Sequence, residues 1–206
     1  MRISDSIPAL KAQPFVLSHT TKPDSIMPFN PEAEWPSDAF IRSIPPTGTT
    51  NPLVLANAPS PDVVIAGQKK KAGIVVDITT NVLYTYDPDG NPTKAYLVAS
   101  GAKGSPTEKG VRIVTHTETY PYKNAYGTKR KRNPKDYGPF VIVLEKINPK
   151  TGELSKTGEF IHGCRSYEET FETDPKRYVS HGCVRMENSA ITEVKEVKKG
   201  TIVVIK

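Results

Sequence analysis

Residues Ser180–Met186 read Ser-His-Gly-Cys-Val-Arg-Met, and the organisation of the chain is best followed outward from this stretch. It brings a hydroxyl, an imidazole, a thiol and a guanidinium together within six residues, and it holds one of only two cysteines in the chain. The other cysteine lies upstream in a similar cluster, His162–Arg165, which reads His-Gly-Cys-Arg. Thiol and imidazole groups are typical partners in reactive sites. We therefore expect the chemistry of the chain where these two clusters meet.

Composition bounds the class of protein. The chain has 206 residues, of which 36% are hydrophobic and 24% charged, as in a soluble globular domain with a smaller extension. It contains no run of eighteen apolar residues, so no membrane-spanning helix is predicted. The first residues, 1–6, include an acid and lead into no apolar segment, so no signal peptide is predicted. Two explanations fit this pattern: the sequence begins after a signal peptide that has been removed, or the protein is exported by another route.

The net charge is +6, with a pI near 9.2, which favours anionic surroundings. The excess is concentrated in three runs, Lys69–Lys71, Lys129–Arg132 and Lys195–Lys199. Lysine and arginine are rarely buried without a partner, so solvated faces are the simpler interpretation. No helix-turn-helix, ribonucleoprotein or paired zinc-finger pattern accompanies the charge, and no nucleic-acid partner is predicted.

Proline separates the chain into two parts. Eleven of its nineteen prolines precede residue 62, and proline disfavours both long helices and central strands. We predict an extended, Pro-rich N-terminal arm over residues 1–71 and a catalytic domain over residues 72–206. A disordered linker is the alternative for the arm, although its scattered aromatic residues argue partly against disorder.

Residues 72–206 carry short β-branched runs separated by turn residues, which is the pattern of a mainly β domain. The predicted strands are Gly73–Ile78, Val82–Tyr86, Ala95–Ala99, Val111–Val114, Phe140–Leu144 and Thr201–Ile205. Short helices are predicted over residues 166–179 and between Ser189 and Gly200. The glycine-rich loop Ser100–Gly110 lacks a phosphate-binding motif and is interpreted as structural.

Residues 116–138 form a long polar segment rich in tyrosine, lysine and arginine. Segments of this length without secondary structure are usually functional or mobile. Two interpretations fit this segment: a lid or substrate wall, and a plain insertion.

Cys183 is the predicted nucleophile. A thiol attacks a carbonyl only as the thiolate, so it needs a base, and a third group must orient that base. His181 lies two residues before Cys183, where a good hydrogen bond to the thiol is hard to form. His162 comes from another segment and can face the thiol freely, so we predict that His162 is the base.

Three neighbours complete the predicted site. Gly182 suits a sharp turn in which the amides of residues 182 and 183 converge on an oxyanion. Arg185 offers a guanidinium, which binds carboxylates in a bidentate manner, so a carboxylate-bearing substrate is indicated. Ser180 is predicted to donate a hydrogen bond in the site rather than to act as the nucleophile.

These motifs resemble the signature of the L,D-transpeptidase catalytic domain, also called the YkuD family. The resemblance rests on His162-Gly163 followed by the cysteine motif Ser180–Arg185. Further likeness lies in the first two predicted strands, in Ser100-Gly101 with Thr107 and Gly110, and in the closing strand. It covers about residues 72–206, and the residue after Thr107 is Glu108 where the family usually has proline. The resemblance does not extend to residues 1–71.

The resemblance implies a β-sandwich-like fold with a few short helices and a two-step acyl transfer on peptidoglycan stem peptides. Cys183 would form a thioester with release of a terminal D-alanine, and an amine would then resolve the thioester. Water would give an L,D-carboxypeptidase instead, and a secreted antibacterial effector would keep the same residues. The implied location is the periplasm or cell envelope.

The resemblance also implies roles for single residues. His162 is the general base, the Gly163 carbonyl orients its imidazole, and Ser180, His181, Gly182 and Arg185 shape the site. No metal or cofactor is implied, and the oligomeric state is left open.

Cys164 departs from the family pattern and leaves two alternatives. His162, Cys164, His181 and Cys183 are a ligand set that zinc accepts, which would make the protein a structural binding module. Alternatively, Cys164 is a redox partner of Cys183, either as a stabilising disulfide or as a switch that silences the thiol.

Overall fold

The computed structural model describes residues 41, 44–120, 133–174 and 176–206. Most of the predicted arm, residues 1–40 and 42–43, and most of the tyrosine-rich segment, residues 121–132, lie outside this range. The described chain contains eleven strands. They are β1 (Asp62–Ile65), β2 (Gln68–Lys71), β3 (Ile74–Asp77), β4 (Val82–Tyr86), β5 (Pro92–Gly101), β6 (Gly110–Thr119), β7 (Phe140–Ile147), β8 (Leu154–His162), β9 (Tyr178–Ser180), β10 (Val184–Met186) and β11 (Ile202–Ile205).

The helices are short. They are α1 (Pro52–Leu55), α2 (Pro134–Tyr137), α3 (Tyr167–Phe171) and α4 (Asn188–Glu193), and a 3₁₀ turn, Val194–Glu196, follows α4 directly. The prediction of a mainly β fold with a few short helices is confirmed. No helix in the described ranges has both the length and the apolar character that crossing a bilayer requires.

Nine strands form one sheet in the order β10-β8-β7-β6-β11-β3-β4-β5-β9. β10 also pairs with β5, so the sheet folds back on itself and its two halves enclose the core. Most pairs are antiparallel, whereas β10 with β8, β11 with β3 and β5 with β9 are parallel. The short β10 therefore joins both halves of the sheet, and it directly follows Cys183.

The enclosed core is formed by the inward-facing side chains of eight of the nine strands, all except β9. Successive side chains of a strand point to opposite faces, so Leu83 in β4 and Tyr96 in β5 point inward. α4 contributes Ala190 and Ile191 to the same apolar cluster, and both are fully buried. α4 is thereby held rigidly against the interior of the sheet, close to the end of β8.

A second apolar cluster lies on the other face of β4 and β5. It contains Ile44, Val54, Val82, Tyr84, Ala95, Leu97, Cys164 and Phe171. Residues that precede β3 therefore pack against the predicted catalytic domain. The boundary predicted at residues 71 and 72 falls directly after β2 and stays a prediction. The three lysines Lys69–Lys71 of β2 are exposed, as the solvated-face interpretation requires.

The sequence prediction of a helix over residues 166–179 is wrong in its length. α3 ends at Phe171, and Tyr178 begins a strand instead. Asp174 precedes a proline in the sequence, and the residue before proline disfavours helical backbone. Arg177 has a φ of 60°, which no helix accommodates. The buried Arg177 side chain donates to the carbonyl oxygens of Val98 and Thr80, which fixes this segment on the sheet.

Candidate active site

A cleft of about 310 Å³ brings the two sequence clusters together. Its lining includes His162, Ser180, His181, Cys183 and Arg185. The other two predicted residues, Gly163 and Gly182, are buried directly beside this lining. Residues from two distant segments thus share one concave surface.

Strand register accounts for this meeting. β8 and β10 run parallel, with Ile161 opposite Val184 and His162 opposite Arg185. Cys183 comes immediately before β10 and His162 is the last residue of β8, so the nucleophile candidate lies beside the base candidate. A strand pair fixes this arrangement more firmly than two loops would.

The His162 imidazole is buried, with 3% of the residue exposed, and its Nδ1 lies 2.6 Å from the Gly163 carbonyl oxygen. A carbonyl oxygen only accepts hydrogen bonds, so Nδ1 carries the proton and donates it. In the neutral ring Nε2 is then an acceptor, which is the form that a general base needs. The Tyr137 ring packs on the imidazole with centroids 4.9 Å apart and limits its rotation.

The turn from Ser180 to Cys183 is held from within. Gly182 has a φ of 106°, which favours glycine, and its amide donates to the Ser180 hydroxyl at 3.1 Å. The Ser180 hydroxyl in turn donates to the Cys183 carbonyl at 2.5 Å. Both bonds are internal to the turn. For Gly182 this differs from the expectation that its amide points at an oxyanion.

The glycine-rich loop supports the same turn from behind. The Thr107 hydroxyl accepts from the Gly101 amide at 2.8 Å and donates to the Gly182 carbonyl at 3.0 Å. The Ala102 amide donates to the Ser180 carbonyl at 2.8 Å. The structural interpretation of this loop is therefore confirmed, and its function is to fix the backbone that carries Cys183.

Arg185 contributes a cation to the cleft. Its residue is half-buried, and its Nε is fully buried with no hydrogen-bond partner among the described residues. A buried donor without a partner is costly, so an incoming acceptor is favoured here. A carboxylate satisfies a guanidinium with two parallel bonds. The arrangement can therefore bind an anionic substrate group beside the thiol.

Four further residues of the cleft wall were not assigned an individual role from the sequence. Asp136 and Tyr137 enter from α2, and Arg165 and Glu169 enter from the segment that includes α3. Asp136 and Tyr137 belong to the tyrosine-rich segment, so its described end does line the cleft. Charge alone could not identify Asp136, Arg165 and Glu169 as site residues, because acidic and basic side chains are common on any protein surface.

Cys164 lies apart from this lining. It is buried with 3% exposure in the second apolar cluster, and burial raises the pKa of its thiol against a smaller opposing effect of the Thr170 hydroxyl. Its amide bonds to the Asn188 side chain, whereas Cys183 lies at the other end of β10. Asn188, which accepts from Cys164, and Glu187, which acts electrostatically on its thiol, both follow β10. Glu187 is four residues after Cys183, and four steps of extended chain span about 13 Å. A disulfide needs Cα atoms within about 7 Å, so this placement does not favour a direct bond.

Both cysteines are free thiols in the structure. Across the described residues, which include His162, Cys164, His181 and Cys183, no three histidine, cysteine or acidic side chains converge as metal ligands. The geometry therefore does not assemble the zinc site considered from the sequence.

Comparison with known proteins identifies the family of the chain. Residues 71–205 match the family model of the YkuD L,D-transpeptidase catalytic domain. No match is found among curated proteins. Solved structures with similarity include Bd1075 of Bdellovibrio bacteriovorus, with 20% identity, coverage of 72% of this chain and 53% of that chain, and a TM-score of 0.48.

Two further solved structures are L,D-transpeptidases. The protein from Mycobacterium tuberculosis has 15% identity, with 66% of this chain and 58% of that chain covered, and a TM-score of 0.45. The protein from Stackebrandtia nassauensis has 19% identity, with 65% and 54% covered, and a TM-score of 0.43. This chain thus spans little more than half the length of each. On the match over residues 71–205, the chain belongs to the YkuD family of L,D-transpeptidase catalytic domains.

Proposed function

We propose that the protein is a cysteine acyltransferase that cross-links or modifies peptidoglycan stem peptides by L,D-transpeptidation. One observation carries the proposal. The cleft that exposes part of the Cys183 thiol also contains the buried His162 imidazole, whose Nδ1 proton is held by the Gly163 carbonyl. Family membership supports peptidoglycan as the substrate class, and the thiol and imidazole in one cleft support acyl transfer as the reaction type.

In the first step, His162 Nε2 takes the proton of the Cys183 thiol, and the thiolate attacks the carbonyl that precedes the terminal D-residue of a tetrapeptide stem. The tetrahedral intermediate collapses as its carbon–nitrogen bond breaks. The imidazolium returns the proton to the leaving amine, so D-alanine departs and a thioester to Cys183 remains. We assign stabilisation of the oxyanion to the Cys183 amide, because the Gly182 amide is bonded to Ser180.

In the second step, an amine of another stem attacks the thioester carbonyl. His162 accepts the proton of the attacking amine and transfers it to the departing Cys183 sulfur. An amide bond forms, the carbon–sulfur bond breaks, and the free thiol returns. The reaction needs no oxidant, reductant or cofactor because acyl transfer leaves every oxidation state unchanged.

Arg185 is proposed to anchor a substrate carboxylate. Its buried Nε lacks a partner among the described residues, and it lies in register with His162 across the β8–β10 pair. The terminal D-residue ends in a carboxylate, so a bidentate pair with Arg185 would place the scissile carbonyl near Cys183. His181, exposed at the cleft, is proposed to contact the substrate rather than to replace His162 as base.

Hydrolysis by the same residues is the second candidate. His181 is exposed and Cys183 is partly exposed, so water can reach the thioester as an amine can. L,D-carboxypeptidase activity would then release the tripeptide, and an antibacterial effector could use the same reaction. Either activity acts on peptidoglycan, so we propose the periplasm or cell envelope as its location.

Mass spectrometry of muropeptides tests the proposal. Purified protein is incubated with disaccharide-tetrapeptide, and the products are compared for the wild type, Cys183→Ala and His162→Gln. Cross-linked dimers are expected from a transpeptidase and tripeptides from a carboxypeptidase, with both lost in Cys183→Ala. Cys164→Ser is the matched thiol control and is expected to keep turnover. Unchanged muropeptides with the wild type, or full turnover in Cys183→Ala, would overturn the proposal.

A further inference from the structure

The peptide group between Gly163 and Cys164 is bonded at both of its polar atoms. Its carbonyl oxygen accepts from His162 Nδ1 at 2.6 Å. Its amide, on Cys164, donates to the Asn188 Oδ1 atom at 3.0 Å. A peptide group is planar, so fixing the direction of its N–H also fixes the direction of its C=O. Asn188 thus determines where the Gly163 carbonyl points, and that carbonyl holds the imidazole.

Two glycines leave room for the Asn188 amide. A Cβ atom on Gly163 would lie 2.3 Å from Asn188 Oδ1, and a Cβ atom on Gly138 would lie at the same distance. Gly138 also has a φ of 65°, which favours glycine. The link before β7, the end of β8 and the start of α4 therefore converge on one side-chain oxygen. No other residue type fits at either glycine without displacing that oxygen.

Asn188 does not serve as the cap of its own helix. The Glu187 side chain accepts from the amides of Ser189 and Ala190, which are the donors that a helix start leaves open. The Asn188 Oδ1 atom instead reaches out of α4 to a residue 24 positions earlier. A role in local helix formation therefore leaves this contact unexplained.

We propose that Asn188 is a positioning residue for the general base His162, acting through the Gly163–Cys164 peptide group. This inference rests on the proposed function. Without the Asn188 oxygen, the Cys164 amide turns toward another acceptor and the Gly163 carbonyl turns with it. The imidazole then loses its fixed tautomer and direction, and Nε2 no longer meets the Cys183 thiol consistently. Catalysis falls while substrate binding, which depends on Arg185, is retained.

The test compares four full-length variants with the wild type. Asn188→Ala removes the acceptor, and Asn188→Leu removes it while keeping the volume of the side chain. Asn188→Asp keeps an oxygen acceptor at the same place. Thr192→Ala is the matched control, because its hydroxyl bonds to the Asn188 backbone carbonyl and leaves the Asn188 side chain untouched. Thermal unfolding first establishes which variants are folded.

Two readouts follow. The first is the rate of iodoacetamide labelling at Cys183 at a fixed neutral pH, which needs no peptidoglycan and reports on the thiol–imidazole pair. Trypsin separates the peptide Tyr178–Arg185, with Cys183, from Thr157–Arg165, with Cys164. The second is the division of the turnover defect between kcat and KM.

Asn188→Ala and Asn188→Leu are expected to lower both the labelling rate and kcat by about 10–100-fold. This is the range seen when the hydrogen-bond partners that orient metal-binding histidines are removed. KM stays near the wild-type value. Asn188→Asp and Thr192→Ala are expected to stay within about threefold of the wild type, because the oxygen acceptor is kept. The proposal would be overturned if Asn188→Ala is folded and keeps the wild-type labelling rate and kcat. It would also be overturned if Asn188→Asp lowers the labelling rate and kcat as much as Asn188→Ala does.

Failure of the proposed function is distinguishable from failure of this inference. If the wild type leaves muropeptides unchanged but Asn188→Ala still slows Cys183 labelling, Asn188 positions His162 in a protein with another substrate. If the wild type turns over and the Asn188 variants match it, the function stands and the positioning role is excluded.

Discussion

The Ser180 hydroxyl donates a hydrogen bond to the carbonyl oxygen of Cys183 at 2.5 Å. The same hydroxyl accepts from the Gly182 amide, and Ser180 is 1% exposed. A single side-chain oxygen therefore holds the backbone on both sides of the turn that presents the thiol. Ser180 acts on the shape of the turn, and its one proton is committed to Cys183.

Replacing Ser180 with alanine is expected to loosen this turn. Two buried backbone groups lose their partner, which costs about 1–3 kcal/mol of unfolding free energy. Turnover should fall by about tenfold, because ~1.4 kcal/mol of lost transition-state stabilisation corresponds to a factor of ten. Urea unfolding and steady-state kinetics measure the two effects. Ser180→Thr keeps the hydroxyl and should lose much less of both, and equal losses in the two variants would argue against the hydrogen-bonding role.

An ion pair between Arg112 of β6 and Glu159 of β8 is expected to contribute measurably to stability. Arg112 has a fully buried side chain, and its Nε lies 2.5 Å from a carboxylate oxygen of Glu159. Glu159→Ala leaves the guanidinium buried without its partner, which costs about 3–5 kcal/mol. The double variant Arg112→Met/Glu159→Leu removes both charges and should recover most of that loss. Urea unfolding checks this, and a single variant as stable as the wild type would contradict it.

The two thiols are expected to differ in reactivity. Burial raises the pKa of the Cys164 thiol, so at pH 8 less of it is present as the reactive thiolate than in an ordinary cysteine. Cys183 is partly exposed in the cleft. Iodoacetamide should therefore label Cys183 well before Cys164 in the folded protein, and both equally in urea. Faster labelling of Cys164 in the native state would contradict its burial.

The redox role considered for Cys164 has a separate test. Because β10 separates the two cysteines, oxidation of Cys183 is expected to proceed without a disulfide between them. Cys164→Ser should then lose activity in hydrogen peroxide at the rate of the wild type. Protection by this substitution, together with a Cys164–Cys183 cross-linked peptide, would instead establish the switch.

The sequence predicted the fold wherever β-branched runs were flanked by turn residues. Val82–Tyr86 was predicted with its observed bounds. Leu154–His162 was not predicted as a strand, because Lys156 and Glu159 interrupt its apolar pattern. Its strand state depends on pairing with β7, which is a tertiary effect that propensity does not contain.

The site was predictable to a different extent. Cys183 and His162 carry distinctive side chains in motifs that resemble a known family, so both were predicted to share one site. Asn188 carried no such signal, because a single asparagine at the start of a helix is common. Its contact with Cys164 spans 24 residues and exists only once β8 and α4 are packed. The sequence also does not show that the Ser180 hydroxyl bonds to both sides of the turn that carries Cys183.

The most direct test of the central claim is the mass of the enzyme during turnover. The protein is mixed with disaccharide-tetrapeptide, quenched in acid and digested with trypsin. The mass of the peptide Tyr178–Arg185 is then measured by mass spectrometry. The account predicts that this peptide gains the mass of the disaccharide-tetrapeptide minus that of D-alanine. Hydroxylamine should remove the gain, as expected for a thioester. Turnover of the muropeptide with Cys183 unmodified under trapping conditions, or the added mass on any other residue, would contradict it.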